Sequence, residues 1–313
     1  MPITNLLTIA IPVFERFEYF NSALESVINQ SVRCHVIVVD NCSSHFKFRD
    51  ICNERGVTYY RNDENIGLFP NWNRCFELAE SEYVMILGDD DILSPNYVES
   101  FLFTKEKHMD IDIYYSDFVL NDLSYNKRLS HHHTLPFGYM KNGKKIIEFG
   151  IKYGLGFPLI TSSVRKSKFT SFYSEFHASN DWLWIYQNAN KLVFYGDSKK
   201  LYKYGIHQMQ DSQNSRSNCI LSMAYIYDKI LKDKSDKIEL KRKTVRNAFW
   251  ALIRLKAGAN KKLIKDFRSR ESIYSKYLNY KLKSDILMSL IFNLPRWLIK
   301  FLYKLLLKLK LAR

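Results

Sequence analysis

The stretch Tyr83–Pro95, YVMILGDDDILSP, limits the possible folds more than any other part of the 313-residue chain. Its first five residues form a continuous apolar run, the pattern of a strand buried on both faces. Gly88 and three consecutive carboxylates, Asp89, Asp90 and Asp91, follow directly, and then Ser94-Pro95, a helix-start signal. Three adjacent acids repel one another, so placing them at the end of a buried strand requires positive charge nearby. A hard divalent cation bridging phosphate oxygens would supply it, because Mg²⁺ and Mn²⁺ prefer carboxylate oxygens. The alternative is a solvated acidic turn.

The upstream residues favour the first reading. Leu6–Phe14 reads as a buried strand, and Val36–Val39 as a second one that ends in Asp40. Between them Phe20, Ala23, Leu24, Val27 and Ile28 recur at helical spacing. A strand, a helix and a second strand make a right-handed βαβ unit with parallel strands. A helix over 45–54 and a strand over 57–60 continue the alternation. Trp72, Cys75, Phe76 and Ala79 then share one helical face leading into Tyr83. Beyond Ser94 the pattern predicts a helix to Lys107, a strand over Ile111–Val119, and a loop-rich region over 121–158. Further strands are predicted over Leu159–Val164 and Leu201–His207. The triplet His131-His132-His133 reads as exposed loop, since adjacent residues seldom converge on one ion. The chain is thus predicted to be an α/β protein with a doubly wound sheet, which binds ligands outside the carboxyl ends of its strands. Asp40 and Asp89 to Asp91 belong to that edge. Further on, Asn180-Asp181 precedes Trp182 and Trp184, either as a helix cap or as a base in an aromatic-walled pocket.

Charge divides the chain. Residues 1–214 carry 22 Lys+Arg against 25 Asp+Glu, and residues 215–313 carry 25 against 7. All of the net charge of +15 therefore comes from the last third. The boundary is placed at residue 213, with a catalytic domain over 1–213 and a helical, basic region over 214–313. The five cysteines form no CxxC pair, which favours reduced thiols in a cytosolic protein. The N-terminal residues lack the pattern of a signal peptide, and no apolar run approaches the roughly 20 residues that span a bilayer.

Eight stretches in order carry a resemblance: TIAIPVFER (8–16), ALESVINQS (23–31), VIVVDNCSS (36–44), NIGLFPNWN (65–73), YVMILGDDDIL (83–93), ITSSVRKS (160–167), SNDWLW (179–184) and YKYGIH (202–207). Together they resemble the family 2 glycosyltransferases, inverting nucleotide-sugar-dependent enzymes with the GT-A fold, a doubly wound mixed sheet. The resemblance implies that Pro12, Val13, Phe14 and Glu15 line a nucleotide pocket and that Asp40 contacts the base. It implies that Asn65, Asn71, Asp89 and Asp90 belong to the nucleotide-sugar site, with Asp89 near the ribose. Asp91 would ligate Mg²⁺ or Mn²⁺ on the diphosphate, His207 would be the late metal or diphosphate histidine, and Asp181 would be the catalytic base. Two departures stand out: Phe14 occupies a position that is often tyrosine in the family, and Asn180 one that is often glutamate.

The C-terminal residues LPRWLIKFLYKLLLKLKLAR place Arg296, Lys300, Lys304, Lys308 and Lys310 on one side of a helix. Leu298, Phe301, Leu302, Leu305, Leu306 and Leu309 lie opposite. The region from Cys219 to Lys283 also reads as helical. A basic amphipathic helix with border aromatics fits an anionic membrane surface better than nucleic acid, for which no motif is visible. The combined expectation is a metal-assisted inverting transferase, peripheral to the cytosolic membrane face, acting on a lipid-linked glycan acceptor. Two other classes remain open: a nucleotidyltransferase, although IPVFERFEYF lacks a Gly- and Lys-rich phosphate loop, and a non-catalytic membrane-associated module.

Overall fold

The continuous apolar runs form the middle of one sheet. A computed structural model describes residues 3–123, 127–129, 135–153, 159–172, 179–208, 225, 226, 253, 256, 257 and 286–308. Strands β1 (Ile3–Val13), β2 (Arg33–Asp40), β3 (Thr58–Arg61) and β4 (Tyr83–Ile86) are parallel, in the order β3-β2-β1-β4. Helices α1 (Phe20–Ile28), α2 (Lys47–Arg55) and α3 (Leu68–Leu78) connect them. Helix α3 buries the expected face of Trp72, Cys75 and Phe76. It starts before Asn71 because Pro70 falls in the first turn, where its missing N–H costs nothing. Parallel strands need such crossovers, and their carboxyl ends consequently lie along one edge.

Past β4 the sheet becomes mixed. Strand β9 (Ser163–Arg165) lies antiparallel between β4 and β6 (Ile113–Asp122). Strand β10 (Phe194–Ile206) runs parallel to β6 and pairs antiparallel with the short β5 (Ile92–Leu93). Strand β7 (Lys127–Leu129) pairs with β6, and β8 (Gly138–Met140) with β10, giving ten strands among the described residues. The core joins Leu7, Ile9 and Ile11 of β1 to Phe20 and Leu24 of α1 and Met85 of β4. Tyr97 and Phe101 of helix α4 (Tyr97–Lys107) complete it. Burial raises the Cys34 and Cys52 thiols to about 12, so neither is a reactive group.

Three sequence expectations are corrected. Residues 121–158 are not loop throughout, since β7, β8 and helix α5 (Lys144–Tyr153) fall there. Glycines flank that helix and hide a short apolar face that includes buried Ile146 and Ile147. The strand expected over Leu159–Val164 is only β9, because Thr161 takes a left-handed φ of 69° and its N–H turns to the Ile86 carbonyl at 2.8 Å. The strand expected from Leu201 begins at Phe194. Its register shifts between Asp197 and Tyr202 interrupt the apolar pattern by which a strand is read.

The chain divides into two compact units, residues 1–174 with 188–210, and residues 175–187 with 211–313. In the second, α6 (Asn180–Asn188) carries Asp181, and α7 (Ile286–Asn293) and α8 (Arg296–Lys308) are the last elements described. Pro295 opens α8, its carbonyl accepting from the Leu298 and Ile299 N–H groups. Helix α8 buries Ile299 beside Ile253 and Ala257, with Tyr303 packed against them. Trp297, Phe301 and Leu305 stay 70%, 60% and 42% exposed beside exposed Lys300 and Lys304. The apolar surface is thus split, part packed and part open. No helix among the described residues is long and apolar enough to cross a membrane. The histidine triplet and the helix expected over 219–283 lie outside the described residues, save for Tyr225, Ile226, Ile253, Lys256 and Ala257.

Candidate functional site

At the carboxyl edge of β1, β2, β3 and β4 the sequence gives up regular structure, and polar side chains converge. The chain leaves β1 through Glu15 at φ 58° and β2 through Cys42 at φ 66°. Left-handed backbone at such residues costs of order 1–3 kcal/mol each, so neighbouring bonds must hold it. The Ser43 hydroxyl accepts from the Glu15 N–H at 2.9 Å. The Glu15 carboxylate accepts from the Ser44 N–H at 2.7 Å and the Ser44 hydroxyl at 2.8 Å, which holds its pKa below the usual range. Phe14 is 42% exposed and Pro12 half-buried, so both can face a ligand. Val13 is 2% exposed and belongs to the core, so only its backbone is left for the role expected of it.

Asp40 is wholly buried, and both of its oxygens are engaged. Oδ1 accepts from the Ser43 N–H at 2.9 Å and hydroxyl at 2.6 Å. Oδ2 accepts from Tyr59 at 2.6 Å and from Arg61 at 3.0 Å. A carboxylate with four donors is stable without solvent, and its direct effect is to fix the loop carrying Ser43 and Ser44. Asn65 and Asn71 likewise belong to a network of asparagines. Asn41 donates to Asn65 Oδ1 at 2.8 Å and accepts from the Asn62 side chain at 3.1 Å. Asn71, 3% exposed, donates to the Val39 carbonyl at 3.2 Å and accepts from Asn62 at 2.8 Å. The Asn71 side chain thus ties α3 to the ends of β2 and β3.

The three acids divide by partner. Asp89 is bridged by Arg16, with Nε to Oδ2 at 3.3 Å and a second, shorter contact from Nη2 to Oδ1. Asp90 Oδ2 lies 3.3 Å from Arg16 Nη2 and 2.8 Å from His207 Nε2. Asp91, 2% exposed, accepts at Oδ1 from the Gly205 N–H at 2.8 Å. Burial, reinforced by the Asp90 charge, pushes the Asp91 pKa well above the usual carboxylate range. Gly205 is a packing necessity, because a Cβ there would lie 2.2 Å from the Asp90 carbonyl oxygen. Tyr19 packs against the His207 ring with centroids 4.8 Å apart. Sequence reasoning asked for a cation beside these acids and missed that Arg16 supplies positive charge. The demand itself was the available signal.

Among the described residues no three His, Cys, Asp or Glu side chains converge as a metal cage. Mg²⁺ does not need one, since it is usually held by one or two carboxylates and the phosphates of its substrate. Asp91 bonds the Gly205 N–H through Oδ1 and carries a second carboxylate oxygen beside it, so the donor set fits a cation that arrives with a phosphate ligand. Asp181 lies in the other unit, at the first turn of α6. The residue is half-buried, and desolvation of its carboxyl raises its pKa to about 7.

The family model described as "Glycosyl transferase family 2" matches residues 8–166, just over half of the chain. WcaA of Escherichia coli, named for colanic acid biosynthesis, is 29% identical over 131 residues, covering 40% of this chain and 47% of that protein. Glycosyltransferase GlyA of Streptococcus pneumoniae is 30% identical over 124 residues, 37% of this chain and 18% of its own. GgaB of Bacillus subtilis, a minor teichoic acid biosynthesis protein, is 30% identical over 114 residues, 34% of this chain and 13% of its own. The chain spans less than half the length of these curated relatives. Among solved structures, S. aureus TarS 1-349 aligns with a TM-score of 0.58 at 16% identity, covering 88% of this chain and 78% of that one. Its complex with UDP-GlcNAc aligns at 0.55 and 14% identity, covering 89% and 91%. At such identity the likeness shows the fold, which is GT-A.

Proposed function

The chain belongs to glycosyl transferase family 2, and on that premise we propose that it transfers a sugar, with inversion, from a nucleoside-diphosphate donor to a hydroxyl of a glycan acceptor. The observation that carries this reading is the convergence of Asp89, Asp90, Asp91 and His207 with the β1 and β2 loops at one sheet edge. In this reading Pro12, Phe14, Glu15 and the Asp40 loop frame the nucleotide, Asp91 holds Mg²⁺ or Mn²⁺ against the diphosphate, and His207 serves as a ligand of the ion or of the diphosphate. Such an ion, when bound, neutralises charge developing on the leaving group. Asp181 serves as general base, accepting the acceptor's hydroxyl proton. Its support is a pKa near 7, where a base is half free at working pH. Direct displacement with one base inverts the anomeric carbon.

The wider role is a step of surface-polysaccharide synthesis, of the colanic acid, teichoic acid or O-antigen kind, on a lipid-linked acceptor. The names of WcaA and GgaB support it. The division at residue 213 into a catalytic domain and a basic membrane-associating region is part of the proposal. Exposed Trp297, Phe301 and Leu305, four residues apart and beside Lys300 and Lys304, have the chemistry of a helix lying in an anionic interface. That would keep the protein at the inner face of the membrane.

Calorimetric titration of UDP, GDP, CDP and dTDP, with and without Mn²⁺, tests the donor site. Metal-dependent binding of one nucleotide, lost in Asp91→Ala, is the expected result. Failure of all four on folded wild-type protein would defeat the reading.

A further inference from the structure

The acids at the end of β4 are partly neutralised from within the chain. Arg16 spans Asp89 with Nε and Nη2, reaches Asp90, and turns Nη1 to His207 Nε2 at 3.1 Å. The same Nε2 lies 2.8 Å from Asp90 Oδ2. These contacts cannot all be hydrogen bonds at once. A guanidinium only donates. If His207 Nε2 accepts from Arg16, its lone pair also faces the Asp90 carboxylate with no proton between them. If Nε2 donates to Asp90, its proton faces the Arg16 N–H instead. Either way one close contact joins like partners, and His207 Nδ1 is buried with no partner among the described residues. An anionic oxygen set between Arg16 and His207 would accept from both and relieve the conflict.

Reach and shape fit such a ligand. The Arg16 side chain is 21% exposed against 11% for Asp89 and 12% for Asp90, so it is the outermost member of the cluster. Its planar fork matches phosphate as well as carboxylate. Resting on the donor-site reading above, we propose that Arg16 is a ligand of the donor's diphosphate, parked on Asp89 and Asp90 until the donor arrives. The guanidinium neutralises Asp89 and Asp90 beside Asp91, and so opposes a divalent ion held at Asp91. The donor ends that opposition by taking Arg16 onto its phosphate oxygens, which restores the negative charge of Asp89 and Asp90 beside the ion. A fixed structural counter-ion would do neither.

The two roles predict different signs. The full chain and Arg16→Gln are titrated with Mn²⁺ alone, and then with the four nucleoside diphosphates in Mn²⁺. The expected result is Mn²⁺ binding about thirtyfold tighter in the variant, the Coulomb effect of one removed charge on a doubly charged ion about 4 Å away in water-like surroundings. The nucleoside diphosphate that binds wild type should bind the variant about ten- to a hundredfold more weakly, through lost charge-assisted hydrogen bonds. Arg16→Lys keeps the charge without the fork and should fall between on both readouts. It carries the test if Arg16→Gln does not fold by circular dichroism. Losses on both readouts, or unchanged diphosphate affinity, would overturn the role of Arg16 while leaving the donor site standing. Failure of every diphosphate on wild type would remove the donor site and this role together.

Discussion

Gly205→Ala is the most exacting test of how the acidic turn is built. A Cβ at Gly205 would lie 2.2 Å from the Asp90 carbonyl oxygen, 3.0 Å from Leu123 Cδ1 and 3.1 Å from the Asp90 carbonyl carbon. The nearest obstacle is backbone, so no rotamer change clears it. Ordinary contact begins near 3.4 Å, so β10 and the Asp89–Asp91 turn must separate by about 1 Å. That opens the 2.8 Å bond from the Gly205 N–H to Asp91 Oδ1. Overpacking costs about 1–3 kcal/mol, and a lost bond to a carboxylate about 1.5–3 kcal/mol. The total is about 2.5–6 kcal/mol before relaxation. Urea denaturation of wild type and variant measures it as a fall in midpoint with little change in slope. Nucleoside diphosphate binding in Mn²⁺ should be lost as well, because Asp91 no longer has its position. Gly88→Ala is the contrasting case, since its Cβ would meet side-chain atoms and not backbone, the Asp90 carboxylate at 2.8 Å and Asp91 Oδ2 at 3.2 Å. If Gly205→Ala stays within about 0.5 kcal/mol of wild type and still binds donor, the close approach of β10 to the turn is wrong.

Other tests follow from the same geometry. Asp40→Ala removes the partner of Arg61 and four hydrogen bonds, and should destabilise by about 3 kcal/mol, the low end for breaking a buried pair because Arg61 is partly exposed; equal urea midpoints would refute this. With a folded pKa of about 7, Asp181 is protonated when folded and ionised when unfolded between its ordinary range and neutrality. Stability should therefore fall as pH rises through that window, and Asp181→Asn should flatten the slope. As a base, Asp181 should also give a kcat/KM that rises with pH around 7, a limb missing from the variant's residual activity. Lys300→Ala with Lys304→Ala should weaken binding to anionic vesicles by about thirtyfold, at about 1 kcal/mol per basic residue; unchanged vesicle partitioning would argue against membrane docking through α8.

Much of the architecture is readable residue by residue. Ile9, Val38 and Met85 sit in unbroken apolar runs because their strands are buried on both faces, so β1, β2 and β4 announce themselves. The acids after Leu87 mark the edge where such strands end. Helix α5 and the first half of β10 escape detection because glycines and register shifts interrupt their periodicity. The roles of Asn71 and Asp40 also lie beyond a linear reading. Both side chains are polar and near the right edge, yet their oxygens and amides are engaged by neighbours on β2, β3 and the loops between.

The sequence alone determined an α/β order of elements, a carboxylate cluster at one strand end and a basic last third, since each depends on residues adjacent along the chain. Only the tertiary structure decided which groups answer those carboxylates. Arg16 is 73 residues from Asp89, and Gly205 is 114 from Asp91. Periodicity reports whether a side chain is buried. The identity of its partner depends on how distant strands pair, and that is set by the packing of the whole sheet.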